Sequence, residues 1–295
     1  MADLVRPPVA MAAAVLLASA TIPGHIHAQD PDSVRIVADS MMVPADTFDM
    51  GTLGLDSPGG DVGGTTSAIP PEALVHLEHV TAGFVDTPLR MGLLKTAMIE
   101  GEIAAAWVRV AGVDTLDLGR MRRAMQNVLH AMDPVDVPSG AGMGYGFRRA
   151  SEAVGMHTEL AMTAVTDSLA PALAFHGPFI LRAAQAAQAR ADDAVALALQ
   201  VQATQDVTSA LRLVDRLAET VRVMMYGDDG DRDGRIGQTE NEIGLAQAVY
   251  HLSLVYRVSG MQMPSVRPHD LVDSLGLDAL GRQPDSIRFR RRRGM

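Results

Sequence analysis

Four carboxylates stand close together in a short segment near the C-terminal end of the chain. Asp229, Asp231 and Asp233 alternate with other residues, and Glu240 follows them. Carboxylates at this density repel one another unless a cation lies between them, and oxygen ligands of this kind suit hard divalent cations. The spacing therefore predicts a cation site whose binding is coupled to the folding of the loop.

The segment 229–240 resembles the calcium-binding loop of the EF-hand family. Gly234 occupies the sixth position, where the loop needs a sharp turn, and Ile236 occupies the apolar eighth position. The resemblance implies that the backbone carbonyl of Arg235 is a further ligand and that a water completes the coordination at Gly237. It implies calcium binding, with Ca²⁺ as the cofactor and a metal site formed by Asp229, Asp231, Asp233, Arg235 and Glu240.

The sequence contains no second loop of this kind, although EF-hand loops normally pair through the eighth position. Ile236 therefore needs another apolar partner, which could be a second copy of the chain, another protein or the chain's own helices. A calcium sensor depends on a paired lobe that opens. We therefore expect the ion to be structural and to fix the connection between the two C-terminal helices.

Polar side chains interrupt the apolar stripes of three predicted helices. They are Glu100, His157 and His176, and they could converge if these helices share one core. His76 and His79, three residues apart on the first predicted helix, could join them. Helical bundles build transition-metal and haem sites from such side chains. The alternative function is therefore transition-metal or haem binding, and the simpler interpretation is that the histidines are buried and bonded to carbonyl groups.

A glycine-rich segment links two of the predicted helices. Gly142, Gly144 and Gly146 precede Arg148 and Arg149. Backbone N–H groups at the start of a helix can hold an anion. The simpler expectation is a flexible interhelical loop.

The apolar residues recur with a helical period from residue 71 onwards, and no pair of strands is evident. Apolar content comes mainly from Ala, Leu, Val and Met, while aromatic residues make up only 4% of the chain, which disfavours an all-β fold. We predict an all-α, multi-helix bundle with one EF-hand-like helix–loop–helix near the C-terminus. The predicted helices cover 71–84, 88–111, 114–132, 147–167, a helix that starts at 171, 193–225 and 239–258.

Composition excludes several classes of function. The chain has no cysteine, which rules out disulfide scaffolds, cysteine-ligated zinc, iron–sulfur clusters and c-type haem attachment. A formal net charge of −10 argues against a nucleic-acid partner. No catalytic motif is found, so we expect a non-enzymatic protein.

The ends of the chain carry different signals from the bundle. Residues 1–28 combine a basic start, an apolar run and a small residue, Ala28, which is typical of a secretory signal peptide. Cleavage there predicts a periplasmic or secreted protein.

Residues 29–70 are acidic and rich in Gly and Pro, which predicts a disordered linker. The bundle should occupy 71–260. An irregular segment, 261–295, ends in an arginine-rich tail suited to weak contact with an anionic surface.

Overall fold

The computed structural model describes residues 68–113, 117–165, 170–232, 236 and 241–266, and these residues confirm the predicted all-α class. No strand occurs within these ranges. The predicted signal peptide, most of the predicted linker and the arginine-rich tail lie outside them. The α-helices in chain order are α1 (Pro71–Thr81), α2 (Leu93–Val113), α3 (Leu118–Met132), α4 (Phe147–Thr163), α5 (Pro171–Ala203), α6 (Val207–Tyr226) and α7 (Leu245–Val258).

Local sequence signals set the starts of several helices. Pro71 and Pro171 occupy the first position of α1 and α5, where the missing N–H costs no intrahelical hydrogen bond. Asp117 caps α3, because its side chain accepts a hydrogen bond from the backbone N–H of Arg120 at 2.9 Å. The starts of α1 and α5 agree with the prediction, whereas α3 begins at Leu118 rather than at residue 114.

The predicted division between the fifth and sixth helices, at about residue 193, is wrong. Helix α5 continues to Ala203, because its alanine-rich second half contains no residue that stops a helix. The break comes at residues 204–206 instead. There the side chain of Asp206 accepts a hydrogen bond from the backbone N–H of Ser209 at 2.7 Å and starts α6.

Two further predicted helix starts come too early in the chain. Pro88 begins a short 3₁₀ turn, and the φ angles of Leu89 and Arg90, 55° and 54°, prevent this turn from continuing into α2. The last helix begins at Leu245 rather than at residue 239. Extended backbone at Gly244 precedes it.

Helix α5 is the centre of the bundle and packs against α3, α4, α6 and α7. Its inward face consists largely of alanine, which lets neighbouring helices approach closely. The fully buried alanines are Ala183, Ala187, Ala191, Ala194 and Ala198. Helix α1 packs on α4 and α2. In the described part of the chain, no helix combines the length and apolar character that a membrane span requires.

The alanine-rich face of α5 should tolerate larger side chains poorly, because neighbouring helices pack closely against it. Ala187→Leu adds volume to a fully buried site on α5 and should lower the free energy of unfolding by about 1–3 kcal/mol. Ala189→Leu, on the exposed side of the same helix, should change it by less than about 0.5 kcal/mol. Chemical unfolding of both variants measures the difference, and equal effects would contradict the central position of α5.

Candidate metal centre

An acidic group lies in the connection between α6 and α7. Carboxylate oxygens of Asp229, Asp231 and Glu242 all lie within 4.8 Å of one another. Asp231 is exposed and Asp229 is half-buried, whereas Glu242 is only 2% exposed. The group therefore extends from the protein surface into the base of the loop.

Close backbone contacts bring the two ends of this connection together. The backbone N–H of Asp228 donates to the carbonyl oxygen of Glu242 at 2.9 Å. Gly227 has a φ of +82°, and a Cβ at this position would lie 2.2 Å from the same carbonyl oxygen. Only glycine fits there, because both the φ angle and the space exclude a side chain. This contact holds Glu242 opposite Asp229.

Two arginines hold the flanks of the acidic group. Arg222 donates to Asp228 Oδ1 at 2.6 Å and to the carbonyl oxygen of Gly227 at 3.1 Å. Its hydrogen bond to Glu219, also at 2.6 Å, is the main reason that its pKa is raised. Arg190 of α5 donates to the carbonyl oxygen of Asn241 at 2.5 Å and to that of Ile243. The loop is thus fixed to the bundle on both sides.

The structure brings two of the predicted calcium ligands together and adds a residue that the sequence pattern missed. Asp229 and Asp231 belong to the acidic group, whereas Asp233, Arg235 and Glu240 lie outside the described residues. Glu242 comes two residues after the twelfth position, so the EF-hand pattern gives it no role. The signal that could have identified it is a carboxylate directly before the apolar run that starts at Ile243.

Ile236 has a contact within its own chain. Its Cγ2 atom would be 2.7 Å from a Cβ on Gly227, so the side chain lies against the base of the loop. This contact lies within the loop, and the partner expected for Ile236 stays a prediction.

Glu100 is fully buried on α2 and lies against the glycine-rich loop that precedes α4. Its carboxylate accepts hydrogen bonds from the backbone N–H groups of Met143, Tyr145 and Gly146 at 3.1–3.2 Å. Burial raises the pKa of Glu100, and these three N–H groups and His130 act in the opposite direction. The anion that the loop amides hold is therefore a side chain of the protein itself.

The approach of this loop to Glu100 requires glycine at one position. A Cβ on Gly142 would lie 2.9 Å from the ring of His130 and 3.0 Å from Glu100 Oε2. The loop is thus shaped around a buried carboxylate, rather than left free as the simpler expectation held.

Glu100, His157 and His176 do not come together, but His157 does meet His76 and His79, the two histidines that the sequence named as possible further members of the group. The Nδ1 atom of His157 lies near His76 and His79, whereas His176 Nδ1 is 3.1 Å from His251 Nδ1. The apolar stripes correctly predicted that these three side chains are buried or half-buried. The helices pack, however, so that each of the three contacts a different partner. Among the described residues, only the histidine group around His157 and the acidic group of the α6–α7 connection bring three possible metal-binding side chains together.

Comparisons with known proteins supply no family for this chain. No protein-family model, curated protein or solved structure matches it. The interpretation of both groups therefore depends on their geometry and chemistry.

Removal of the Glu100 carboxylate should leave buried N–H groups without an acceptor. We expect Glu100→Ala to lower the free energy of unfolding by about 3 kcal/mol or more, because hydrogen bonds to a charged group are among the stronger ones. Glu100→Gln should cost less, since the amide oxygen can still accept. Glu152→Ala, an exposed glutamate on α4, is the control and should cost less than about 0.5 kcal/mol. Equal losses for Glu100→Ala and Glu152→Ala in urea unfolding would contradict the role of Glu100.

The His176–His251 pair predicts acid sensitivity. Burial, and then the neighbouring His176, lowers the pKa of His251 from 6.5 to about 4. Between these pH values the unfolded chain binds a proton that the native ring does not, so the contribution of His251 to stability falls as pH falls from 6.5 towards 4. Unfolding measured at several pH values in chelator should show a smaller acid-induced loss for His251→Asn than for the wild type. Parallel pH profiles would refute this assignment.

Proposed function

We propose that the protein is an exported, non-enzymatic calcium-binding protein in which one Ca²⁺ stabilises the connection between α6 and α7. The observation that carries this proposal is the convergence of Asp229, Asp231 and Glu242 from the two sides of one loop. Export is inferred from the signal-peptide pattern of residues 1–28.

The spacing of the oxygens suits a calcium ion. Ca²⁺ takes six to eight oxygen ligands at about 2.3–2.6 Å, so two ligands on opposite sides of the ion are up to about 5 Å apart. Carboxylate oxygens within 4.8 Å of one another can therefore reach the same ion. Asp233, Glu240 and the Arg235 carbonyl would complete the coordination according to the EF-hand-like spacing.

The electrostatics favour a divalent ion. Three carboxylates at these distances repel one another, and the repulsion is stronger where Glu242 is buried than it would be in water. A bound cation replaces this repulsion with attraction and joins the end of α6 to the start of α7. Ion binding should therefore stabilise the fold, which is the structural role expected from a single loop.

Calcium should raise the thermal stability of the protein. For an extracellular site the dissociation constant is expected at about 10⁻⁴–10⁻³ M, and calcium at about 100 times that value should add about 2.7 kcal/mol to the free energy of unfolding. Magnesium should add less, because it tolerates this irregular oxygen set poorly. Melting curves in calcium, magnesium and chelator, together with calorimetric titration, measure the effect.

Substitutions of single carboxylates test which of them bind Ca²⁺. Asp229→Asn and Glu242→Gln should each abolish most of the calcium-dependent gain. Glu219→Gln, which removes a charge that lies beside Arg222 and outside the acidic group, should retain it. The proposal fails if the wild type melts identically in calcium and chelator and shows no binding heat. A gain that Glu240→Gln abolishes and Glu242→Gln leaves intact would remove Glu242 from the ligands.

A further inference from the structure

A cluster of three imidazole rings lies where α1 packs on α4. His76 and His79 are three residues apart, so they share one face of α1, and His157 faces them from α4. The Nδ1 atom of His157 is 3.2 Å from Nδ1 of His76 and 3.4 Å from Nδ1 of His79. Possible ligand nitrogens of all three residues lie within 4.8 Å of one another.

We propose that His76, His79 and His157 form a second metal site, which binds a transition metal of the Zn²⁺ class through three imidazole nitrogens. Two nitrogens bound to one tetrahedral Zn²⁺ at about 2.0–2.1 Å lie about 3.3 Å apart. This is the separation that His157 Nδ1 has from both of its neighbours. His157 Nδ1 therefore has the spacing of a metal ligand from each neighbour, and nitrogens of all three residues lie within 4.8 Å of one another.

Hydrogen bonds between the three imidazole rings cannot satisfy all of the nitrogens that face one another. A neutral imidazole nitrogen carries either one proton or one lone pair, so His157 Nδ1 cannot form a full hydrogen bond with each of two other nitrogens. A metal ion accepts all three lone pairs at once. The Nε2 atom of His157 is buried and has no hydrogen-bond partner among the described residues, so Nδ1 is the nitrogen that faces other side chains.

The surroundings support binding of neutral imidazoles with access from solvent. His157 is 6% exposed and His76 and His79 are half-buried, while Phe84 packs against the rings of His79 and His157 with centroid distances of 5.2 Å. Burial, and then the neighbouring rings of His79 and His76, lowers the pKa of His157, which disfavours the positively charged form of the ring. Three protein ligands leave a fourth position for water or a small anion.

This site is chemically distinct from the calcium site and does not depend on it. Nitrogen ligands favour Zn²⁺ and related ions, whereas the acidic group offers only oxygen. An excess of calcium should therefore fill the acidic site and leave the histidine site available. Each proposal can fail without the other.

The test uses the full-length protein, freed of metal and then kept in excess calcium. Titration with Co²⁺ should produce the visible absorption of a four-coordinate Co²⁺ ion at one equivalent per chain, and Zn²⁺ should displace it. His157→Gln, His76→Gln and His79→Gln should each weaken Co²⁺ binding at least about tenfold. His176→Gln, at the histidine pair on α5 and α7, is the matched control and should leave binding unchanged.

Several outcomes would overturn the proposal. They are the absence of Co²⁺ absorption in the wild type, wild-type affinity in His76→Gln and His79→Gln, or an equal loss in His176→Gln. His76 and His79 are half-buried, so these two variants should fold even if His157→Gln does not. Circular dichroism of each variant confirms that a lost signal reflects lost binding.

Discussion

A carboxylate buried in a helical bundle has to be compensated inside the protein, because its removal from water costs far more than a single hydrogen bond returns. Glu100 meets this constraint with backbone N–H groups of the loop before α4. The loop has to pass close to the carboxylate, which explains glycine at position 142. It also places the N-terminus of α4 beside a negative charge, which is favourable for the helix dipole. The start of α4, the helix that carries His157, is thus held against one buried carboxylate on α2.

Glu242 faces the same constraint in different surroundings. It is nearly as buried as Glu100, but two further carboxylates lie within 4.8 Å of it. Two arginines bind residues beside this group. Arg190 donates to the backbone carbonyl of Asn241, and Arg222 donates to Asp228 and to the backbone carbonyl of Gly227. In our proposal a divalent cation binds this acidic group and joins its two sides. Helix α5 connects the two regions, since its alanine face packs against α4, α6 and α7.

The sequence predicted the fold class and several helix starts because those features depend on local signals. Proline at the first position of α1 and α5 and the Asp117 cap act within one turn of helix. The division of α5 from α6 was misplaced because alanine-rich sequence carries little periodic contrast between an exposed and a buried face. The capping interaction of Asp206 is a weaker signal than the apolar seam on which the prediction relied.

The candidate sites were predictable only in part, for a geometric reason. Asp229 and Asp231 follow from a fixed spacing within one loop, whereas Glu242 meets them only through the close contact between Gly227 and the far end of the loop. Glu100, His157 and His176 lie on helices whose relative rotations the sequence does not specify, so their predicted convergence did not occur. His157 does meet His76 and His79, the two histidines that the first predicted helix offered, because α1 packs on α4.

Amide hydrogen exchange of the full-length protein, compared in calcium and in chelator, tests the central claim most directly. If one Ca²⁺ joins the end of α6 to the start of α7, exchange should slow in calcium at the backbone amides from Gly227 to Leu245. Amides elsewhere should slow only where they exchange through global unfolding, which calcium binding makes less favourable. The same protection in both conditions across this connection would contradict the proposed calcium site.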